Sequence, residues 1–369
     1  MKKILYFGMT GSLGGTESFI INFWKSFNKG NISVDFIKVG NSLYFEEEIL
    51  EEGSSVVALP ERRRNPIKYF LSIYKLLKGK SEYEIIHVHL NSCSSIEPII
   101  AAKLCGKKVF VHSHNAMNRM KIITRILHNI NKKIMNRMVD KRLACSNKAG
   151  QWMFGKRDFI VINNAIPLKN YLYNKNNRQE VRHQLGLENK FVVGHVGRFT
   201  SQKNHEFLID IFKSIREINK EAILLLVGDG ELRSKIENKI LELGLKDHVI
   251  ITGARTDVSI LLQAMDVFVF PSNFEGLGIV AIEAQAAGLP CIVSESIPTE
   301  AFITNLIKSV SLNESSNKWS EITLEHSKSF KRRNTYEEIK SAGYDISDAA
   351  LILEKLYLND FNTKQFDNS

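Results

Sequence analysis

The chain has 369 residues, 44% of them hydrophobic and 24% charged, with a formal net charge of +10. That length exceeds one ordinary domain and suits two, the composition is that of a soluble globular protein, and no segment approaches the roughly 20 apolar residues that span a bilayer. The four cysteines (Cys93, Cys105, Cys145 and Cys291) are scattered without a CxxC pair, which excludes a disulfide framework and a cysteine zinc site.

The first residues, Met1-Lys2-Lys3 followed by Ile4 to Phe7, imitate a secretory leader. Their apolar run is too short and ends in a glycine turn instead of a cleavage site, so a cytoplasmic protein is expected. From there, short β-branched runs alternate with longer amphipathic stretches. Residues 3–7, 34–39, 56–59, 85–89 and 109–112 read as strands, and 16–27 and 65–77 as helices. Such alternation predicts a parallel sheet covered by helices on both faces.

Residues 117–142 read as one or two helices with eight basic residues (Arg119, Lys121, Arg125, Lys132, Lys133, Arg137, Lys141, Arg142) against one acid, Asp140. Ile122, Ile123, Ile126, Leu127, Ile130, Ile134 and Met138 recur among them near helical spacing. Residues 1–165 carry 26 Lys+Arg against 13 Asp+Glu, whereas 166–369 carry 24 against 27, so the whole positive balance lies in the first half. That asymmetry points to an acidic partner, and a basic amphipathic face suits an anionic membrane surface. The competing expectation is that the apolar stripe packs on the sheet and the charges are merely solvated. Nucleic acid is disfavoured, because the stretch contains no Phe, Tyr or Trp on which bases could stack.

The pattern restarts after Asn163-Asn164-Ala165-Ile166-Pro167, a turn-rich hinge followed by a polar stretch to Glu188. Strands are expected at 191–197, 222–227, 249–252, 267–271 and 291–294, with helices at 205–218, 232–243, 258–265 and 278–287. The expected fold class is α/β: two Rossmann-like, doubly wound domains, at 1–165 and 166–344, with a helix at 345–358 and a polar tail at 359–369. Ligands bind such sheets outside the carboxyl ends of the strands, and two facing sheets would create a cleft.

Two segments after strands could carry chemistry. In Gly197-Arg198-Phe199-Thr200-Ser201-Gln202-Lys203, two cations stand in a loop that leads into a helix. Arg198 can fork onto phosphate oxygens, Lys203 adds a point charge, and the helix start adds free N–H groups. In Pro271-Ser272-Asn273-Phe274-Glu275-Gly276-Leu277-Gly278, a strand ends and a glycine turn opens a helix that carries Glu283. On one continuous helix Glu275 and Glu283 would be about 80° apart. With Glu275 in the loop, both can reach one elongated molecule. His87 with His89 and His112 with His114 each share one side of a strand, but histidines of the core or cleft are expected there, not a metal centre.

These residues resemble glycosyltransferase family 4, retaining enzymes of the GT-B fold, and particularly its bacterial exopolysaccharide and capsule members. The resemblance runs through Gly14-Gly15-Thr16-Glu17, His112-Ser113-His114-Asn115, Ala144-Cys145-Ser146, Gly194 to Phe199, Gln202 to His205, Val227 to Gly230 and Phe270 to Ala284. It implies two domains facing across a cleft and a nucleotide-sugar donor, UDP-linked, with no other cofactor. Arg198 and Lys203, in the loop that Gly197 opens, match the clamp on the donor diphosphate. Glu283 matches the group on the ribose hydroxyls, and Glu275 with the backbone of Gly276, Leu277 and Gly278 matches the grip on the sugar. Gly14 and Gly15 match the loop near diphosphate and acceptor, His114 matches the histidine facing the reacting sugar, and Arg255 is a weaker match for the base edge. The resemblance also implies a lipid-diphosphate-linked saccharide acceptor at the inner face of the plasma membrane. No Asp-x-Asp occurs, so metal-independent transfer is expected. A sugar-nucleotide epimerase or hydrolase of the same fold, and a non-catalytic membrane-associated partner, are the alternatives.

Overall fold

The computed structural model describes residues 1–12, 14–115, 121–328 and 330–358. Residues 117–120 of the basic stretch and the tail from 359 lie outside the described residues. The chain divides into two compact units. The first holds Met1–Ile166 and takes up the chain again from Gly343, and the second holds Pro167–Ala342.

Seven parallel strands form the sheet of the first unit: β1 (Lys2–Phe7), β2 (Ile32–Val39), β3 (Val56–Leu59), β4 (Tyr83–Leu90), β5 (Lys108–Ser113), β6 (Lys141–Ala144) and β7 (Ile160–Val161). Their order is β3-β2-β1-β4-β5-β6-β7. The strands are apolar on both faces because helices cover both, which leaves two separate clusters of buried side chains. Helix starts follow from capping chemistry. Asn65 accepts from the Lys68 N–H at 2.8 Å with Pro66 at the first position, and Ser146 accepts from Ala149 at 3.2 Å. β6 opens on Lys141 and Arg142 and β7 has only two residues, so neither announces itself as an apolar run, and β6 ends the predicted 117–142 helical stretch early, with the helix spanning Ile122–Met138.

The last described helix, Ile346–Leu358, belongs to the first unit. Ile346, Ala349, Ala350, Leu353, Leu356 and Tyr357 pack among the side chains of Gly15–Ser26, β1 and β2. Its start is tied down by the Ile346 N–H to the Ile166 carbonyl at 3.0 Å.

In the second unit, β8 (Phe191–Val196), β9 (Ala222–Val227), β10 (Val249–Ile251), β11 (Val267–Phe270), β12 (Cys291–Ser294) and β13 (Ile307–Val310) run parallel in the order β10-β9-β8-β11-β12-β13. Both units thus reverse their winding direction once, between β1 and β4 and between β8 and β11. The crevice at such a switch point is where doubly wound sheets hold ligands. The stretch after Pro167, polar in sequence, contains the helix Lys175–Gln184, whose first N–H groups are capped by Asn174.

Buried in the first unit are His87, His89 and His112, at 0–3% exposure. Burial holds all three imidazoles well below the usual histidine range of 6.5, and each is lowered further by its neighbours. The unfolded chain therefore binds protons below pH 6.5 that the folded chain refuses, so this stability is complete above pH 6.5 and lost as pH falls. Three such groups give a slope of about 4 kcal/mol per pH unit. Denaturant unfolding followed by Trp24 and Trp152 fluorescence is expected to shift steeply to lower midpoint between pH 6.5 and 5. A midpoint that does not move over that range would contradict the neutral stack.

Candidate functional site

At the switch point of the second unit, the loops after β8 and β11 are stitched together. The Asn273 N–H donates to the Gln202 carbonyl at 2.8 Å, and Asn273 Nδ2 to the Ser201 carbonyl at 2.7 Å. Asn204, in the left-handed region at φ 54°, turns the first loop into the helix His205–Ile218. The result places Lys203 Nζ 2.7 Å from Glu275 Oε1, which also accepts from Ser272 Oγ at 2.8 Å. Both partners are largely withdrawn from water, with side chains 16% and 7% exposed. Lys203 also lies over the Phe270 ring, 4.7 Å from its centroid. Its stem passes so close to Gly197 that a Cβ there would come within 3.2 Å of it.

Gly278 then takes φ +80° and opens the helix Ile279–Ala286 with no side-chain cap. A residue with a Cβ would be strained there. Gly276 and the buried Leu277 lead into it. Glu283, partly buried on this helix, accepts from Tyr171 Oη at 2.9 Å. Burial raises its carboxyl to about 7, against the opposing effects of Tyr171 and Lys203. Arg198 remains exposed, with its guanidinium 3.9 Å from Glu231 and free to turn to an anion. The structure therefore brings Lys203, Glu275 and Glu283 into one electrostatic group with Arg198 on the same loop as Lys203. Arg255 stands apart from that group, exposed and forked onto Asp257 at 2.8 and 2.6 Å.

In the first unit, Gly14 precedes the helix Gly15–Ser26, and a Cβ on Gly15 would meet nothing within 4 Å. Buried Glu17 holds the loop after β1 by accepting from the Thr10 N–H at 3.1 Å and Oγ1 at 2.8 Å. Two residues along, Phe19 packs edge-on against His112 and His114, at 4.6 and 4.8 Å between ring centroids. His114 lies one residue past β5, with its N–H on the Leu90 carbonyl at 3.0 Å and its Nε2 2.8 Å from His89 Nδ1. A ring nitrogen of each of His87, His89 and His112 lies within 4.8 Å of the others. The three rings are stacked, with interplanar angles of 28°, 15° and 20°, so their in-plane lone pairs run side by side and do not converge on one point. This is a poor cage for a tetrahedral metal.

Sequence reasoning overlooked three residues. Ser272 and Asn273 stood within the segment singled out, and their hydrogen-bonding side chains were the available signal. Tyr171 stands 112 residues from Glu283, and nothing local marks it.

The raised Glu283 carboxyl has a stability consequence. The folded second unit keeps a proton between about pH 4.5 and 7 that the unfolded chain releases, so this contribution is present at low pH and lost as pH rises through that window. The loss is at most about 3 kcal/mol. Glu283→Gln keeps an acceptor for Tyr171 and has no proton to lose. Its unfolding midpoint at pH 8 is expected to exceed the wild type's, with the difference vanishing near pH 5. Identical pH profiles would contradict the shifted carboxyl.

Comparison with known proteins places this geometry. Residues 13–170 match the family model described as Glycosyltransferase Family 4, and residues 177–341 match that described as Glycosyl transferases group 1. EpsF of Bacillus subtilis, named as a glycosyltransferase, is 27% identical over 96% of both chains. An Escherichia coli enzyme named UDP-Gal:alpha-D-GlcNAc-diphosphoundecaprenol alpha-1,3-galactosyltransferase is 32% identical over 65% of this chain and 64% of its own. Among solved structures, Anabaena HepE in complex with UDP superposes with a TM-score of 0.79 at 20% identity, covering 97% of this chain and 100% of that one. WaaG, a glycosyltransferase of lipopolysaccharide biosynthesis, gives 0.69 at 15% identity, over 96% and 99%. With both halves matched and the two Rossmann-like sheets in place, this chain belongs to glycosyltransferase family 4 and is a glycosyltransferase.

Proposed function

We propose that this glycosyltransferase moves a sugar from a UDP-sugar to a lipid-diphosphate-linked saccharide at an anionic membrane surface, in exopolysaccharide or capsule synthesis, with retention at the anomeric carbon. The observation that carries the reading is the Lys203–Glu275 pair, largely withdrawn from water at a switch point beside an uncapped helix start. Diphosphate oxygens are received by Arg198, Lys203 and the start of Ile279–Ala286, which stabilise the charge that grows as the sugar–phosphate bond breaks. Glu283 accepts from the ribose hydroxyls. Glu275 and the Gly276–Gly278 backbone hold the sugar, and Arg255 serves the base edge. His114 faces the sugar, and the Gly14-Gly15 turn serves diphosphate and acceptor. The acceptor hydroxyl attacks from the side the diphosphate leaves. Its oxygen forms the new bond to the anomeric carbon, and its proton passes to the departing phosphate oxygen, so no strong protein base and no metal is required.

The donor and acceptor classes are supported by the names of the Escherichia coli relative and of the UDP-bound structures. The membrane surface is supported by the helix Ile122–Met138. Ile122, Ile123, Ile126, Leu127, Ile130 and Ile134 are exposed on it, so the stripe that could have packed on the sheet faces outwards, while His128, Met135 and Asn136 face in. Lys121, Arg125, Lys133 and Arg137 are exposed among these residues, and among the described residues none has an acidic partner. An apolar row flanked by unpaired cations fits an anionic lipid surface, where each cation adds about 1 kcal/mol. No helix among the described residues is long and apolar enough to cross a membrane.

Thermal unfolding in EDTA with UDP, GDP or ADP tests the donor site. UDP at 100 times its dissociation constant is expected to stabilise by about 2.7 kcal/mol. Glu283→Ala should abolish that gain, and no response to any nucleotide would defeat the reading. Sedimentation with vesicles tests the surface. Binding to phosphatidylglycerol vesicles but not to phosphatidylcholine vesicles is expected, and Ile123→Ser/Ile126→Ser/Ile130→Ser should release the protein. Equal binding to both lipids would remove the anionic-surface claim.

A further inference from the structure

Tyr171 ends the short helix Leu168–Tyr171, just after the second unit begins at Pro167. Its backbone is fixed from the helix Val258–Ala264. There Gln263, 1% exposed, donates from Nε2 to the Tyr171 carbonyl at 3.1 Å, and its Oε1 accepts from the Asn174 N–H at 3.1 Å. One buried amide thus grips the chain on both sides of residues 172–173. From that anchored backbone the Tyr171 hydroxyl donates to Glu283 Oε1 at 2.9 Å.

Glu283 uses only this one oxygen within the fold. Its Oε2 has no hydrogen-bond partner among the described residues, and the residue keeps part of its surface open to solvent. A carboxylate can only accept, so the phenol proton is committed to this bond whenever Glu283 is ionised. Tyr171 and Lys203 act on the carboxyl, and both favour its ionised form against the burial that pushes it up to about 7. As a purely structural anchor for a phenol, such a carboxyl is a poor choice. A neutral amide or a backbone carbonyl would accept the same proton without sheltering a charge. What a carboxylate adds is a second, strongly accepting oxygen, and that oxygen is the one the fold leaves unused.

We infer that Tyr171 is a positioning residue for the donor nucleotide: its hydroxyl holds Oε1 of Glu283 so that Oε2 is presented to a vicinal diol, the ribose of the sugar nucleotide. The inference rests on the reading of Glu283 as the group on the ribose hydroxyls. A glutamate has a flexible stem, and without a second contact its rotamer freedom is lost only when the ligand binds. Tyr171 imposes that order in advance, from a backbone that Gln263 already fixes.

The test is calorimetric titration of UDP, and of dideoxyuridine diphosphate, which lacks both ribose hydroxyls, into wild type, Tyr171→Phe and Glu283→Ala. Tyr171→Phe removes one oxygen and keeps the ring, so the packing of the short helix is retained. Wild type is expected to bind UDP more tightly than the dideoxy analogue. Tyr171→Phe should weaken UDP by roughly 3- to 30-fold and leave the analogue unchanged. The variant also loses a group that favours the ionised carboxyl, which the ribose hydroxyls require as acceptor. Its deficit in UDP binding should therefore be larger at about pH 6 than at about pH 8.5, and the titration of the UDP phosphate cancels between the two proteins. Equal weakening of both ligands at both pH values would make Tyr171 a packing residue and overturn the inference. UDP binding that needs Glu283 but not the Tyr171 hydroxyl overturns this inference alone. Wild type that binds both ligands equally tightly overturns the ribose reading of Glu283, and the inference falls with it.

Discussion

The candidate site of the second unit depends on one contact, the ion pair between Lys203 and Glu275. Withdrawing two charges from water is unfavourable unless geometry and extra hydrogen bonds compensate, and an apolar pair of similar size would often serve stability as well. Here the compensation is explicit: Ser272 bonds the same carboxylate oxygen, Phe270 lies under the ammonium, and Asn273 holds the two loops in register. The parallel topology makes this arrangement available. Only where the winding reverses, between β8 and β11, do two strand ends leave a gap into which both loops can turn. In the proposed reading, the pair keeps a cation poised for an anion and a carboxylate poised for hydroxyls, each neutralising the other until a ligand takes its place.

A different constraint organises the first unit. Its interior carries polar aromatic groups in place of a wholly apolar core: the histidines of β4 and β5 against Phe19, Tyr6 and Tyr357. Buried imidazoles without charge partners survive only as neutral rings, and stacking between strands supplies their packing. Tyr357 comes from the far end of the chain, and its hydroxyl meets Tyr6 across 351 residues of sequence. The Ile346–Leu358 helix is therefore part of the first unit's core and of the hydrogen bond that holds His87.

Much of this was legible in the sequence because the chemistry is local. The loop after residues 191–197 and the segment from Pro271 to Ala284 each hold their candidate groups within a few residues, so spacing exposed them. The alternation of strands and helices was plain over much of the chain, but the reading missed β6, which opens on Lys141 and Arg142, the two-residue β7, β13, and the helices Glu97–Leu104, Asn147–Phe154, Lys175–Gln184 and Ser316–Ser327. Tyr171 was invisible, because its relation to Glu283 exists only after the second unit folds. Periodicity gave the apolar stripe of residues 122–134 but not its direction. A stripe of that kind packs inwards or faces out with the same spacing, and only the buried His128, Met135 and Asn136 on the opposite side decide which.

The most direct test of the account is calorimetric titration of UDP, in EDTA, into wild type, Lys203→Met and Glu275→Gln. A lost charge-assisted hydrogen bond of about 1.5–3 kcal/mol corresponds to a weakening of roughly 10- to 150-fold, expected for Lys203→Met. Glu275→Gln frees Lys203 from its competitor, so UDP affinity should hold or rise while sugar release from UDP-glucose or UDP-galactose falls. If Glu275→Gln weakens UDP as much as Lys203→Met does, or if Lys203→Met binds UDP like wild type, the division of labour within this pair is wrong.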